Sequence, residues 1–384
     1  MKKNLLLIPI VLISFFSCRE STPQQPNVPT INTSLDSAFQ NVIDTILQNH
    51  PQSKGIMVHV EAPNQRISWS GAVGWADSTK LVPIQVNQTG SIASNTKQYV
   101  STAILRLVEK GKLKLDQSIG ELLSTETKAL FENDGYDLKA ITVAHLMSHT
   151  SGIFDYVNAP IFFERVKSEP AHRYTQAEQL SLAVTHGSPL GAPGDLFSYS
   201  DTNYSLLTDI IATATQKPFY TAIRELIDYE KLGLDNTYWW RFEESPSELP
   251  MIHQYIGAMN TDNHTIDLSF DLYGGGGIIA SARDLAVFSQ SLFDHKILKD
   301  STTLDLMYTQ MPIKNGEDPN YRLGLQVGDV NGLRTYGHGG FWATVVQYIP
   351  ELDASIAVMI SERDTRILRV NALSGLVDVL QKEK

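Results

Sequence analysis

Over residues 34–49, apolar side chains fall at Leu35, Phe39, Val42, Ile43, Ile46 and Leu47, spacings of three and four that put them on one helical face. Ser34 offers an N-cap hydroxyl before this stripe, and Pro51 follows its stop. Residues 56–60 and 66–70 then read as two strands around the Pro63-Asn64 turn. From about Ser94 to Glu230 the pattern is mainly helical. Strand-like segments return only near Gly324 and run to Ile360, with 342–349 and 355–360 the clearest, and a closing helix follows Ile367. Strand-rich ends around a helical middle predict an α+β fold: an antiparallel β-sheet built from both chain ends and flanked by helices, with a mainly helical inserted subdomain over roughly residues 112–265. The crevice between sheet and insertion is the expected place for a site.

The first 33 residues follow neither period. Met1-Lys2-Lys3 and the apolar run 5–16 fit a secretory signal peptide over residues 1–17, too short for an ordinary membrane span. Cys18 is the sole cysteine of 384 residues, so one chain can form no disulfide. It stands directly after Ser17, and the segment resembles a bacterial lipoprotein signal, although Phe15 departs from the usual Leu. That resemblance makes Cys18 the lipidation site, and thereby a periplasmic or cell-envelope protein whose contact with membrane is this anchor alone. Residues 18–33, with Pro23, Pro26 and Pro29 among polar side chains, read as a disordered tether, leaving 34–384 as the folded unit. A net charge of −11, from 31 basic and 42 acidic residues, carries no basic footprint and excludes nucleic acid as a partner.

Three segments could carry chemistry. In the first, Ser94 stands at the start of a helical pattern and Lys97 three residues later, so the amine lies over the same face, within reach of the hydroxyl. The same four residues also describe a Ser cap beside a solvated Lys. In the second, Tyr199 sits at a loop-to-helix junction, where a phenol either shuttles a proton or braces the loop. In the third, Tyr336-Gly337-His338-Gly339-Gly340-Phe341-Trp342 runs into a strand. Its glycines either admit a ligand close to the backbone or merely turn the chain. Three such segments in this order coincide by chance far less often than any one of them.

In that combination the chain resembles the serine β-lactamase and penicillin-binding superfamily, in the branch of class C β-lactamases, D-alanyl-D-alanine carboxypeptidases and related esterases. The likeness spans roughly residues 34–360 and includes the stretches 141–153 and 274–285. It implies Ser94 as the acylated nucleophile, Lys97 as its activating partner, Tyr199 as the proton shuttle, and the backbone N–H groups of Ser94 and Phe341 as the oxyanion hole. Asp201, His338, Gly339 and Gly340 become the residues nearest the substrate, which is a small molecule or peptide, and no cofactor or metal is implied. Two departures matter. Asp201 stands where many members have Asn, and a carboxylate near Lys97 favours the ammonium, shifting base duty toward Tyr199. Gly339 stands where carboxylate-recognising members often carry a hydroxyl residue, which favours a neutral ester or amide unless Arg322 or Arg334 compensates.

The expected activity is that of a D-alanyl-D-alanine carboxypeptidase or β-lactamase on cell-wall peptides or β-lactams, with a small-ester esterase as the close rival. A penicillin- or peptidoglycan-binding receptor without turnover is the alternative from another class. His145 and His149 have metal-ligand spacing but no third ligand and read as structural histidines. The four glycines from Gly274 precede Ile278, not a Lys and hydroxyl pair, and read as a tight backbone crossing.

Overall fold

The computed structural model describes residues 33–79 and 82–382. The leader 1–17, Cys18 and all of the tether except Thr33 lie outside the described residues. The described chain builds a six-stranded sheet in the order Ile67–Gly74, Gly55–Ala62, Ala354–Ile360, Thr344–Ile349, Leu333–Gly340, Gln326–Val330, antiparallel throughout. The two chain ends meet where Ile56 pairs with Ile360 and Val60 with Ile356. The sheet is therefore the one expected from the strand-rich ends.

Side-chain alternation sorts the central strands onto two cores. Ile56, Val58, Val60, Ile356, Val358 and Ile360 pack with Phe39, Ile43, Leu373 and Leu376 of the helices Thr33–Asn49 and Leu368–Lys382. Met57, Ala357 and Met359 face the opposite way, into the core that holds Leu285 and Phe288 of the helix Ala282–Phe293. Covered on both faces, Ala354–Ile360 is buried from end to end and shows no polar alternation. The helix Thr96–Glu109 is buried over all of its first ten residues, so it runs through the insertion as a central pillar rather than along the surface.

Three boundaries differ from the sequence reading. The first helix begins at Thr33, which puts Ser34 inside its first turn rather than at its cap. The glycine-rich segment is itself strand, ending at Gly340; residues 341–343 turn, with Ala343 at φ +58°, and the next strand starts at Thr344 rather than Trp342. Between the strands of the two chain ends there is also a small sheet of Gly90–Ser91, Ile278–Ala280 and Thr237–Trp239, of which Thr237–Trp239 lies inside the insertion. Strands of two or three residues are too short to leave a period in the sequence.

Candidate active site

From the short strand Gly90–Ser91 the chain makes a 3-10 turn, Ala93–Asn95, that leads directly into the pillar helix. Ala93 adopts φ +46°, a left-handed conformation that its Cβ disfavours, and the sharp turn sets Ser94 on the wall of a cavity. Asn95 clamps the turn: its Nδ2 donates to the Ile92 carbonyl and to Thr344 Oγ1, both at 2.8 Å. The Thr344 hydroxyl donates to the same carbonyl at 3.0 Å. Gly340 permits this contact between helix turn and sheet, because a Cβ there would meet Thr344 Oγ1 at 2.2 Å and the Ile92 carbonyl at 2.3 Å.

Lys97 follows one turn along the helix and is fully buried. Its Nζ donates to Ser94 Oγ at 2.9 Å and to the Gly275 carbonyl at 2.5 Å, and pairs with Asp201 Oδ1 at 2.6 Å. The glycine run does cross tightly: a Cβ at Gly274 would lie 2.6 Å from the Tyr204 carbonyl and one at Gly277 2.3 Å from the Leu272 carbonyl. That crossing presents the Gly275 carbonyl to the ammonium. Tyr199 precedes the helix Asp201–Thr215, with its ring 5.0 Å from Lys97 Nζ and its hydroxyl in hydrogen-bonding reach of both Lys97 and Ser94.

His149 braces this loop. Its ring lies 4.2 Å from that of Tyr199, and its Nδ1 accepts the Ser200 N–H at 3.1 Å. Burial, then Lys97, holds it far below the ordinary imidazole range, so it is neutral. His145 forms a capping box with Thr142 at the helix Val143–Met147.

Charge in the site is set by a few opposed effects. Burial alone would depress Lys97, but Asp201, followed by Tyr199 and Asp271, outweighs it and holds the ammonium firmly protonated. Burial pushes the Tyr199 phenol up; Lys97 pulls it back in part, and Asp201 opposes that. Asp201 thus holds a proton on both candidate bases. Asp201→Asn removes that field while keeping the shape, and the acid limb of kcat/KM against pH is expected to move about one unit lower. An unmoved or raised acid limb in a pH–rate profile would refute this coupling.

The strand Leu333–Gly340 forms the facing wall. His338 donates from Nδ1 to the Gly339 carbonyl at 2.8 Å and accepts from the Tyr321 hydroxyl at Nε2, at 3.1 Å, partners that assign the tautomer. Burial first, and Lys97 next, lowers His338 to about 3, so it is neutral at physiological pH. Among the described residues the backbone N–H groups of Ser94 and Phe341 donate to no acceptor and remain available to an oxyanion. Gly339 supplies no hydroxyl. Arg322 is committed to Asp318 at 2.9 Å, and Arg334 is exposed on the strand. The cation beside Gly339 is instead Arg369 of the closing helix, 3.4 Å from where a Gly339 Cβ would lie, donating to the carbonyls of Gly340 and Thr344 at 3.2 and 2.6 Å. Burial, with Arg366 and Arg363, brings it down to about 10, still a cation.

The sequence reading gave Asp155 no role and passed over Asp271. Both line the cavity with Ser94, Tyr199 and Asp201. Asp155 Oδ1 accepts the N–H groups of Val157 and Asp201 at 3.2 and 3.1 Å.

Residues 43–374 match the family described as Beta-lactamase. A penicillin-binding protein of Bacillus subtilis is 24% identical over 346 residues, covering 85% of this chain and 72% of that protein. A putative D-alanyl-D-alanine carboxypeptidase of Escherichia coli is 24% identical over 416 residues, covering 94% of this chain and 91% of that protein. The D-amino acid amidase of Ochrobactrum anthropi superposes with a TM-score of 0.75 at 22% identity, over 91% of this chain and 99% of that one, a likeness of fold.

Proposed function

Because the chain belongs to the Beta-lactamase family across residues 43–374, we propose that it is a serine hydrolase that forms an acyl-enzyme on Ser94. The observation that carries this reading is the Lys97 ammonium held 2.9 Å from Ser94 Oγ in a buried site, with the Tyr199 hydroxyl beside both. In acylation the Lys97–Tyr199 pair acts from the form in which the Tyr199 phenol has lost its proton to solvent beside the Lys97 ammonium; Ser94 Oγ bonds to the substrate carbonyl carbon as its own proton passes to the Tyr199 oxygen. The negative oxygen is met by the N–H groups of Ser94 and Phe341. The carbonyl bond to the leaving group breaks and the stored proton goes to that group. Water then attacks the ester carbonyl, the acid departs, and Ser94 recovers a proton.

For the substrate we favour a short peptide or amide of the kind that a D-alanyl-D-alanine carboxypeptidase or a β-lactamase cleaves, supported by the names of the relatives. Small-ester hydrolysis is the second reading. It rests on the neutral His338 and the bare Gly339, which leave Arg369, already shared between two carbonyls, as the cation at that wall for a substrate carboxylate. The same relatives support an envelope location, in keeping with the leader read at residues 1–17.

The test is to trap the intermediate. Purified protein is mixed with a D-Ala-D-Ala peptide, a penicillin and a short-chain nitrophenyl ester, quenched in acid, digested and mapped by mass spectrometry. The expected result is an adduct on Ser94, with its decay ranking the three substrate classes. An adduct on another residue, or none with any of the three, overturns the proposal. A penicillin adduct that never decays, without turnover of the other two, makes the protein a receptor.

A further inference from the structure

The cavity at Ser94 has a volume of about 270 Å³ and a lining of unusual composition. Four phenylalanine rings, Phe162, Phe163, Phe270 and Phe341, form its apolar walls, and three aspartates, Asp155, Asp201 and Asp271, open onto it. Among the described residues the one cation held against these carboxyls is Lys97, and its contact is with Asp201. Asp155 spends Oδ1 on two backbone N–H groups, and among the described residues its Oδ2 makes no hydrogen bond or ion pair. Asp271 ends the 3-10 turn Leu268–Asp271 and is only 9% exposed; among the described residues no hydrogen bond or ion pair engages its carboxyl. A Cβ on Gly276 would lie 2.1 Å from Asp271 Oδ2, so glycine is what leaves the carboxyl its place.

A buried carboxyl without a partner is costly, and a cavity wall is where it can gain one from outside. A substrate anion would be opposed by the Asp201 carboxylate, and an uncharged group would leave the two other acids in their protonated form. A cationic nitrogen supplies the missing charge and several N–H donors at once, with aromatic faces beside it to receive the cation. We propose that the acyl part of the substrate carries an ammonium group on a small apolar or aromatic body, and that Asp271 and Asp155 bind that ammonium beside Ser94. The protonation of the free pocket agrees. Burial first, then Asp201, holds both Asp155 and Asp271 up to about 8, so each keeps its proton near neutrality until a cation takes the proton's place.

This inference rests on acyl transfer at Ser94 and narrows its substrate. The test compares phenylalanine p-nitroanilide, as both enantiomers, with its N-acetyl derivative, in the wild type and in Asp271→Asn. The wild type is expected to favour the free amine by at least about tenfold in kcat/KM, and Asp271→Asn to shrink that ratio to about threefold or less, mainly through KM. Equal or better hydrolysis of the acetylated substrate by the wild type overturns the inference while acyl transfer stands, as does a ratio untouched by Asp271→Asn. No nitroaniline release that depends on Ser94 strikes at acyl transfer itself and takes this inference with it. If Asp271→Asn does not fold, inhibition of the wild type decides: benzylammonium is expected to compete where benzyl alcohol at equal concentration does not, and equal inhibition overturns the assignment.

Discussion

Ser94→Ala is expected to lower kcat/KM by at least about ten-thousandfold while moving the melting temperature by no more than about 2 °C. The two halves of this result have separate causes. Acyl transfer needs the Ser94 oxygen as a bond partner, the aliphatic hydroxyl that Lys97 Nζ engages at 2.9 Å on the cavity wall. Stability does not need it, because Lys97 keeps the Asp201 carboxylate and the Gly275 carbonyl when Oγ is removed. The Ala93 turn is held by Asn95 and Thr344, neither of which bonds Ser94. Steady-state rates and thermal unfolding of the same preparation check both halves. A large fall in melting temperature would mean that Ser94 is structural, and residual activity within a hundredfold of wild type would move the nucleophile elsewhere.

That pairing of Ser94 with Lys97 was open to sequence reasoning because it is local: three residues on a helix fix a distance whatever the rest of the chain does. The sheet was legible for a similar reason, since strands such as Ala354–Ile360 carry long apolar runs. The acidic cavity was not. Asp155, Asp201 and Asp271 come from three separate segments, and only their packing together brings the carboxyls to one cavity, with Asp201 against Gly275 and Asp271 against Gly276. Two of the aspartates also look like ordinary element-start residues: Asp155 caps a 3-10 turn by accepting from the Val157 N–H, and Asp201 is the first residue of a helix. Arg369 escaped notice for the same long-range reason. Its approach to Gly339 depends on where the last helix crosses the end of the sheet, whereas Arg322 and Arg334 are merely nearer in sequence. The phenol of Tyr199 was legible as a candidate, but its state was not, because burial and Asp201 act on it from outside its own segment.

Lys97→Met should match Ser94→Ala in activity and part from it in stability. The thioether fills the channel of a fully buried side chain without its charge. Asp201, 2.6 Å from the lost ammonium, is left beside Asp155 and Asp271 with no counter-charge at this spot. Removing one partner of a buried ion pair costs roughly 3–5 kcal/mol, and a site in which carboxyls can take up protons recovers part of that as the pH falls. The direction is fixed by the two aspartates held up to about 8. A carboxyl with a raised folded-state value binds more protons folded than unfolded, so its share of stability falls as pH rises from about 4 towards 8 and returns on acidification. Lys97 itself, raised in the fold, contributes through the whole neutral range and loses that contribution only at strongly alkaline pH. Deleting it raises the carboxyls further. The melting temperature of Lys97→Met should therefore lie well below wild type at pH 8 and recover a large part of the gap at pH 5.5, whereas Ser94→Ala tracks the wild type at both. Thermal unfolding of the three proteins at the two pH values measures this directly, and a gap that stays constant or widens on acidification would show that Lys97 does not counter the charge of these carboxylates.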